Sequence, residues 1–179
     1  MKTTEILIAG FGGQGILFSG KFLAYMGLLD GIQVSWLPSY GPEMRGGTAN
    51  CNVILSDVPV GSPIITTPDV LIAMNLPSLI KYVDTVALGG QVYIDSSLID
   101  AKVERDDVEV FYIPATQMAK DEGISTLANM IIVGHLLENH PELSFDGVEE
   151  VVEKLVPPKK AALKELNMKA LNLGKSYNK

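Results

Sequence analysis

In the stretch IAGFGGQGILFSGK, Ile8 to Lys21, Gly10, Gly12 and Gly15 spell G-x-G-x-x-G, while Gly15, Gly20 and Lys21 spell most of G-x-x-x-x-G-K. Both spacings occur in loops that bring backbone amides up to phosphate. The second requires a Ser or Thr hydroxyl after the lysine for magnesium, and Phe22 stands there. Ile16, Leu17 and Phe18 also suit the first turn of a helix lying on a sheet, so the P-loop match is accidental. In the first spacing, Gly10 permits a tight turn, Gly12 a close approach and Gly15 helix packing, with Gly13 and Gln14 between them. The helix N-terminus that follows favours an anion. A nicotinamide dinucleotide would also call for an acidic ribose reader near the end of the second strand. Leu37, Pro38 and Ser39 occupy that place, which weakens dinucleotide binding. A tight crossover that holds no ligand stays open as well.

A second cluster, PSYGPEMRGGTANC from Pro38 to Cys51, has two prolines and three glycines among its fourteen residues. It is read as a long loop with special backbone angles. Loops after the first two strands of a doubly wound sheet emerge on the same carboxyl edge, so both glycine-rich segments are expected to face one crevice. Ser39, Tyr40, Gly41, Glu43, Arg45, Gly46 and Gly47 join the candidate binding set of Gly10 and Gly12 to Gly15. Arg45 can grip a phosphate or carboxylate bidentately, Glu43 can orient it, and Gln14 offers both a donor and an acceptor. An Arg45–Glu43 pair that only shapes the loop is the competing reading. Tyr40 and Met44 are contact residues or core residues. No catalytic constellation is visible: Ser19, Ser39 and Ser125 have no His–Asp partners in sequence, and no ligand spacing surrounds His135 or His140, so no metal site is assigned.

The elements that must position these residues follow from periodicity. Strands are expected at Thr3–Gly10, Ile32–Leu37, Ala49–Ser56, Asp69–Met74, within QVYIDSS and at Val108–Pro114. Helices are expected from Gln14 to about Leu29, from Pro77 to Val86, and from a Ser125 cap to His140. Asp146 and Glu149 make a D-x-x-E start, and Pro157 and Pro158 introduce the last helix. The first strand, helix and second strand close a βαβ unit. The pattern predicts one doubly wound α/β domain over residues 1–179, with a body of about 3–140 and C-terminal helices of about 144–174.

Composition narrows the class. With 47% hydrophobic and 20% charged residues and a mean hydropathy of +0.24, the chain is a globular protein rather than a disordered one. Neither a membrane span nor a signal peptide is visible, and a cytoplasmic location is expected. Seven of the 14 basic residues lie in the last 26 positions, from Lys154 to Lys179, opposed only by Glu165. The preceding 153 residues carry seven basic and 20 acidic side chains, a net of −13, which argues against nucleic-acid binding. The basic tail reads as a solvated helix face. The single cysteine, Cys51, cannot hold an iron–sulfur cluster by itself.

The combination of AGFGGQGI, PSYGPEMRGGTANCNVILSD, PDVLIAMNLPSL, IPATQMAKDEG and LANMIIVGHLL resembles the gamma subunit of 2-oxoacid:ferredoxin oxidoreductases over Ile6 to about Gly174. The ending TANC is similar to that of the 2-oxoglutarate and branched-chain members. This resemblance implies a Rossmann-like, mostly parallel sheet with helices on both faces and a helical C-terminus. It implies membership of a complex with alpha and beta subunits, and in some members a ferredoxin-like delta subunit. That complex oxidatively decarboxylates a 2-oxoacid, forms acyl-CoA and reduces ferredoxin. Thiamine diphosphate and the iron–sulfur clusters then belong to partner subunits, and coenzyme A is the candidate ligand of the two glycine loops. On this reading the isolated chain is inactive and free to self-associate. The alternative from another class is a stand-alone dinucleotide-binding protein.

Overall fold

The computed structural model describes residues 3–39 and 48–178. Six strands form one sheet in the order β2-β3-β1-β4-β5-β6. They are β1 Thr4–Phe11, β2 Gln33–Ser39, β3 Thr48–Ser56, β4 Val70–Ala73, β5 Gln91–Asp95 and β6 Glu109–Ile113. The run from β1 to β6 is parallel, as apolar strands linked by crossovers should be. On the other side β3 is antiparallel to both β1 and β2. The expected βαβ unit is therefore not a closed neighbour pair: β2 runs parallel to β1, but β3 lies between them. β2 and β3 also extend into the expected loop Pro38–Cys51, taking in residues 38–39 and 48–51.

The helices are α1 Ile16–Leu29, α2 Leu76–Tyr82, α3 Ala115–Asp121, α4 Ala128–Asn139, α5 Val148–Leu155 and α6 Ala161–Lys175. Helix α3 was not expected from periodicity. Two helix starts differ from expectation. Ser125 lies in a 3-10 turn ahead of α4 and caps nothing. The N-cap of α5 is Gly147 at φ 75°, not Asp146. Among the described residues no helix is long and apolar enough to cross a membrane.

Side chains alternate along the strands and build two unequal layers. Ile6, Ile8, Cys51, Val53, Leu55, Ile72 and Tyr93 face the larger one with α1, α4, α5 and α6. Leu7, Leu71, Val92 and Ile94 face the smaller one, covered by Leu79 of α2, Val86 and Ile99. Helices thus cover both faces, but one cover is thin. The lysines of the tail pair outward, Lys154 with Glu150 at 2.9 Å, Lys164 with Glu149 at 3.0 Å and Lys169 with Glu122 at 2.7 Å, as a solvated face does.

Two glycine contacts set helix positions. Gly20 and Gly27, two turns apart on α1, let the helix lie directly on β3 and β2: a Cβ on Gly27 would come within 2.7 Å of Leu55 and 2.9 Å of Val34. Gly134 of α4 and Gly174 of α6 do the same for the pair of helices behind, where a Cβ on either would strike backbone atoms of the other helix. Backbone cannot step aside as a side-chain tip can. Gly174→Ala should cost about 3 kcal/mol or more, read as a lowered urea midpoint. Gly61→Ala, with open space around it, should stay within about 0.5 kcal/mol.

Candidate functional site

β1 delivers the chain to Phe11 at its carboxyl edge, and the backbone reverses through Gly12–Gly15 into α1. Gly13 and Gly15 hold φ of 93° and 76°, the left-handed region that an L side chain resists. Gly15 is the N-cap of α1; it supplies no side-chain cap, and the first turn has no acidic residue. The N–H groups of Ile16, Leu17 and Phe18 therefore have no acceptor within the helix. This first turn borders a cavity of about 310 Å³ lined also by Phe11, Gly12, Gly13, Gly15 and Ala49. Partial positive charge at a helix start beside an open cavity is suited to an anion.

The other candidates in this segment have structural jobs. Gly10 sits inside β1, and a Cβ there would approach Gln14 Oε1 and Ile16 within 2.7 Å and Met74 within 2.8 Å. It permits close packing, not the tight turn expected of it. Gln14 is a clip: its Oε1 accepts from the Phe11 N–H at 2.6 Å, and its Nε2 donates to the Met74 carbonyl at 2.9 Å. The side chain expected to meet a ligand instead fastens the turn to the end of β4. Lys21 and Phe22 are ordinary residues of α1, Lys21 exposed and Phe22 buried, so no P-loop exists here.

Ser39 ends β2, exposed and opposite Asn50. Thr48 begins β3 opposite Phe11. Both flanks of residues 40–47 therefore stand at the edge that carries the glycine turn. Tyr40, Gly41, Glu43, Met44, Arg45, Gly46 and Gly47 lie outside the described residues. The end of β2 bears Leu37, Pro38 and Ser39, and β3 separates it from β1. A ribose reader placed there would not adjoin the glycine turn as it does in the dinucleotide fold.

Three polar features at this edge went unread in the sequence. Asn75 caps α2 by accepting from the Ser78 N–H at 2.8 Å, while its Nδ2 and the Ser78 hydroxyl are buried without a partner. The segment NLPS, an Asn just ahead of a first-turn proline, carried that signal. Asp95, fully buried at the end of β5, accepts from the N–H groups of Ser97 at 3.1 Å and Thr116 at 3.3 Å and so steadies the start of α3. Asn129 of α4 donates to the Gly15 carbonyl at 3.2 Å and the Ser19 hydroxyl at 2.9 Å; no spacing rule connects residues so far apart.

The reactive groups are turned inward. Burial pushes the Cys51 thiol up to about 12, with hydrogen bonds from Trp36 and Gly20 opposing it. Burial also holds the His135 imidazole below its ordinary value, against the Gly174 carbonyl, which lies 3.1 Å from Nδ1. Among the described residues no group of three or more His, Cys, Asp or Glu could hold a metal ion.

A family profile described as pyruvate ferredoxin/flavodoxin oxidoreductase matches residues 5–177. The chain belongs to this family. Within it, the chain is 35% identical over 178 residues to the 2-oxoglutarate synthase subunit KorC of Methanothermobacter marburgensis, covering 96% of this chain and 94% of that one. It is 41% identical over 146 residues to the ketoisovalerate oxidoreductase subunit VorA of Methanothermobacter thermautotrophicus, covering 82% of this chain but spanning only 29% of VorA. Among solved structures, the gamma subunit of a keto/oxoacid ferredoxin oxidoreductase from Geobacter sulfurreducens superposes with a TM-score of 0.81 at 31% identity, covering 96% and 95% of the two chains. The 2-oxoglutarate:ferredoxin oxidoreductase of Magnetococcus marinus, solved with 2-oxoglutarate, coenzyme A and succinyl-CoA bound, superposes with a TM-score of 0.87 at 27% identity. That match covers 98% of this chain and 31% of the other.

The buried thiol gives a direct check on the inward-facing chemistry. At about pH 8 a disulfide reagent such as DTNB should leave Cys51 unreacted in the native protein and titrate it fully in denaturant. A native thiol that titrates near 8.5, the ordinary value, would contradict this burial.

Proposed function

We propose that this chain is the gamma subunit of a cytoplasmic 2-oxoacid:ferredoxin oxidoreductase, of the 2-oxoglutarate or branched-chain type, and that its carboxyl edge helps to hold coenzyme A. The observation that carries the reading is the glycine turn. It sets the uncapped first turn of α1 beside a cavity of about 310 Å³ in a family member whose described residues assemble no group of three or more His, Cys, Asp or Glu that could hold a metal ion. Such an edge can bind and orient an anionic co-substrate while the reacting groups come from elsewhere. The oxoacid carbon chemistry and the electron transfer then belong to alpha, beta and ferredoxin-like delta partners, which carry thiamine diphosphate and iron–sulfur clusters and pass electrons to ferredoxin. In VorA the matching region makes up 29% of the chain, which supports a domain that works against further protein. Substrate type rests on the KorC and VorA likeness, since no oxoacid pocket lies among the features described above.

Coenzyme A carries a diphosphate and a 3′-phosphate. The amides of Gly12, Gly13 and Gly15 to Phe18 are the proposed donors to the first, the Gln14 N–H being held by the Phe11 carbonyl, and Arg45 offers a bidentate guanidinium. In the assembled complex, Arg45→Ala should raise the KM for coenzyme A about tenfold, consistent with loss of one charge-assisted contact, with kcat and the KM for the oxoacid little changed. Normal assembly with an unchanged coenzyme A KM would remove Arg45 from the site.

A further inference from the structure

β1 and β4 are neighbours in the parallel half of the sheet, yet they lead to opposite layers: β1 runs into α1 on the larger one and β4 into α2 on the smaller one. In open α/β sheets that divergence opens the crevice in which ligands bind. Here the crevice is bridged by one side chain. The last rung between the two backbones is the Met74 N–H to the Ala9 carbonyl at 2.8 Å. Evenly spaced parallel pairing would continue with the Phe11 N–H donating to the Met74 carbonyl. The Gln14 amide stands between them instead: its Oε1 accepts from the Phe11 N–H at 2.6 Å, and its Nε2 donates to the Met74 carbonyl at 2.9 Å. Gly10 leaves the space for this inserted rung, since a Cβ there would stand 2.7 Å from Gln14 Oε1. The Gln14 N–H adds a further tie, to the Phe11 carbonyl at 3.2 Å.

The open space lies on the other side of the turn. Among the described residues, the cavity of about 310 Å³ is lined by Ala49 of β3 and by none of β4. Gln14 itself lies between Gly13 and Gly15, at φ 93° and 76°. Glycines change conformation easily, so a turn built on them keeps one shape only where something fastens it. Resting on the coenzyme A reading above, we infer that Gln14 is a positioning residue for coenzyme A. By bridging the crevice between β1 and β4 it holds the flanking glycines and the first turn of α1 in the arrangement that lines the cavity on the β3 side. It acts without touching the ligand, because backbone groups of this chain engage both its Oε1 and its Nε2. A site fixed before the diphosphate arrives spares binding the cost of ordering a loose turn. The same bridge obstructs a ligand lying across the two strands, as a dinucleotide does in sheets of this class.

The test is made in the assembled complex with Gln14→Met, which keeps the length of the side chain and removes both of its hydrogen bonds. The KM for coenzyme A should rise about tenfold, while kcat and the KM for the oxoacid stay within about twofold. Hydrogen exchange across residues 11–16, measured without coenzyme A, should quicken in the variant. Gln14→Asn, one methylene too short to span from Phe11 to Met74, is the second variant and should shift both readouts the same way. An unchanged coenzyme A KM, whatever the exchange, would overturn the positioning role. So would kcat and both KM values moving together, which is general damage, or a raised coenzyme A KM with exchange unchanged, which is a direct contact. If Gln14→Met left the coenzyme A KM unchanged and Arg45→Ala still raised it, the phosphate reading would stand. If neither variant moved it, that reading would fall as well.

Discussion

The Asn129 amide, held between the Gly15 carbonyl and the Ser19 hydroxyl, joins the start of α1 to the start of α4. Gly15 must be left-handed for the chain to turn from β1 into α1, and a Cβ there would come within 2.5 Å of the Asn129 amide. One glycine thus makes the turn, opens the helix start and lets α4 approach it. This contact holds in place the first turn of α1, which lines the cavity beside the glycine turn.

The sheet serves that cavity in a way an ordinary doubly wound domain does not. Inserting β3 antiparallel between β1 and β2 brings both flanks of residues 40–47 to the carboxyl edge, opposite Phe11 and Asn50. It also moves the end of β2 away from the glycine turn. The G-x-G-x-x-G spacing therefore survives with its helix start intact and without its usual ribose partner. On the coenzyme A reading proposed above, phosphate meets this turn and the rest of the ligand is recognised by other means. Gln14, which clips the turn to Met74, keeps the turn fixed relative to the parallel half of the sheet.

Much of the fold was legible because local pattern and tertiary structure agree. All six strands, the glycine turn into α1 and the long helices follow apolar periodicity that burial then satisfies. What periodicity could not carry was strand adjacency. The segment ANCNVILS reads as a strand in any order, and only pairing shows that it lies between β1 and β2. Helix α3 was missed because its cap is remote: Asp95 on β5 supports Thr116 across 21 residues of sequence. Ser125 and Asp146 looked like caps by residue type, but a 3-10 turn and a left-handed Gly147 took the role instead. At the site, the glycines were visible while their division of labour was not. Gly10 permits packing and Gln14 clips the turn, and Asn129 has no local signal because it acts through another element.

On the proposed reading, this chain receives the phosphates of coenzyme A at the first turn of α1. A structure of the assembled complex with coenzyme A bound tests it most directly. Diphosphate oxygens are expected within hydrogen-bond distance of the backbone amides of Gly12, Gly13 or Gly15 to Phe18. A coenzyme A molecule held wholly by other subunits, with that turn facing solvent or a protein side chain, would contradict it.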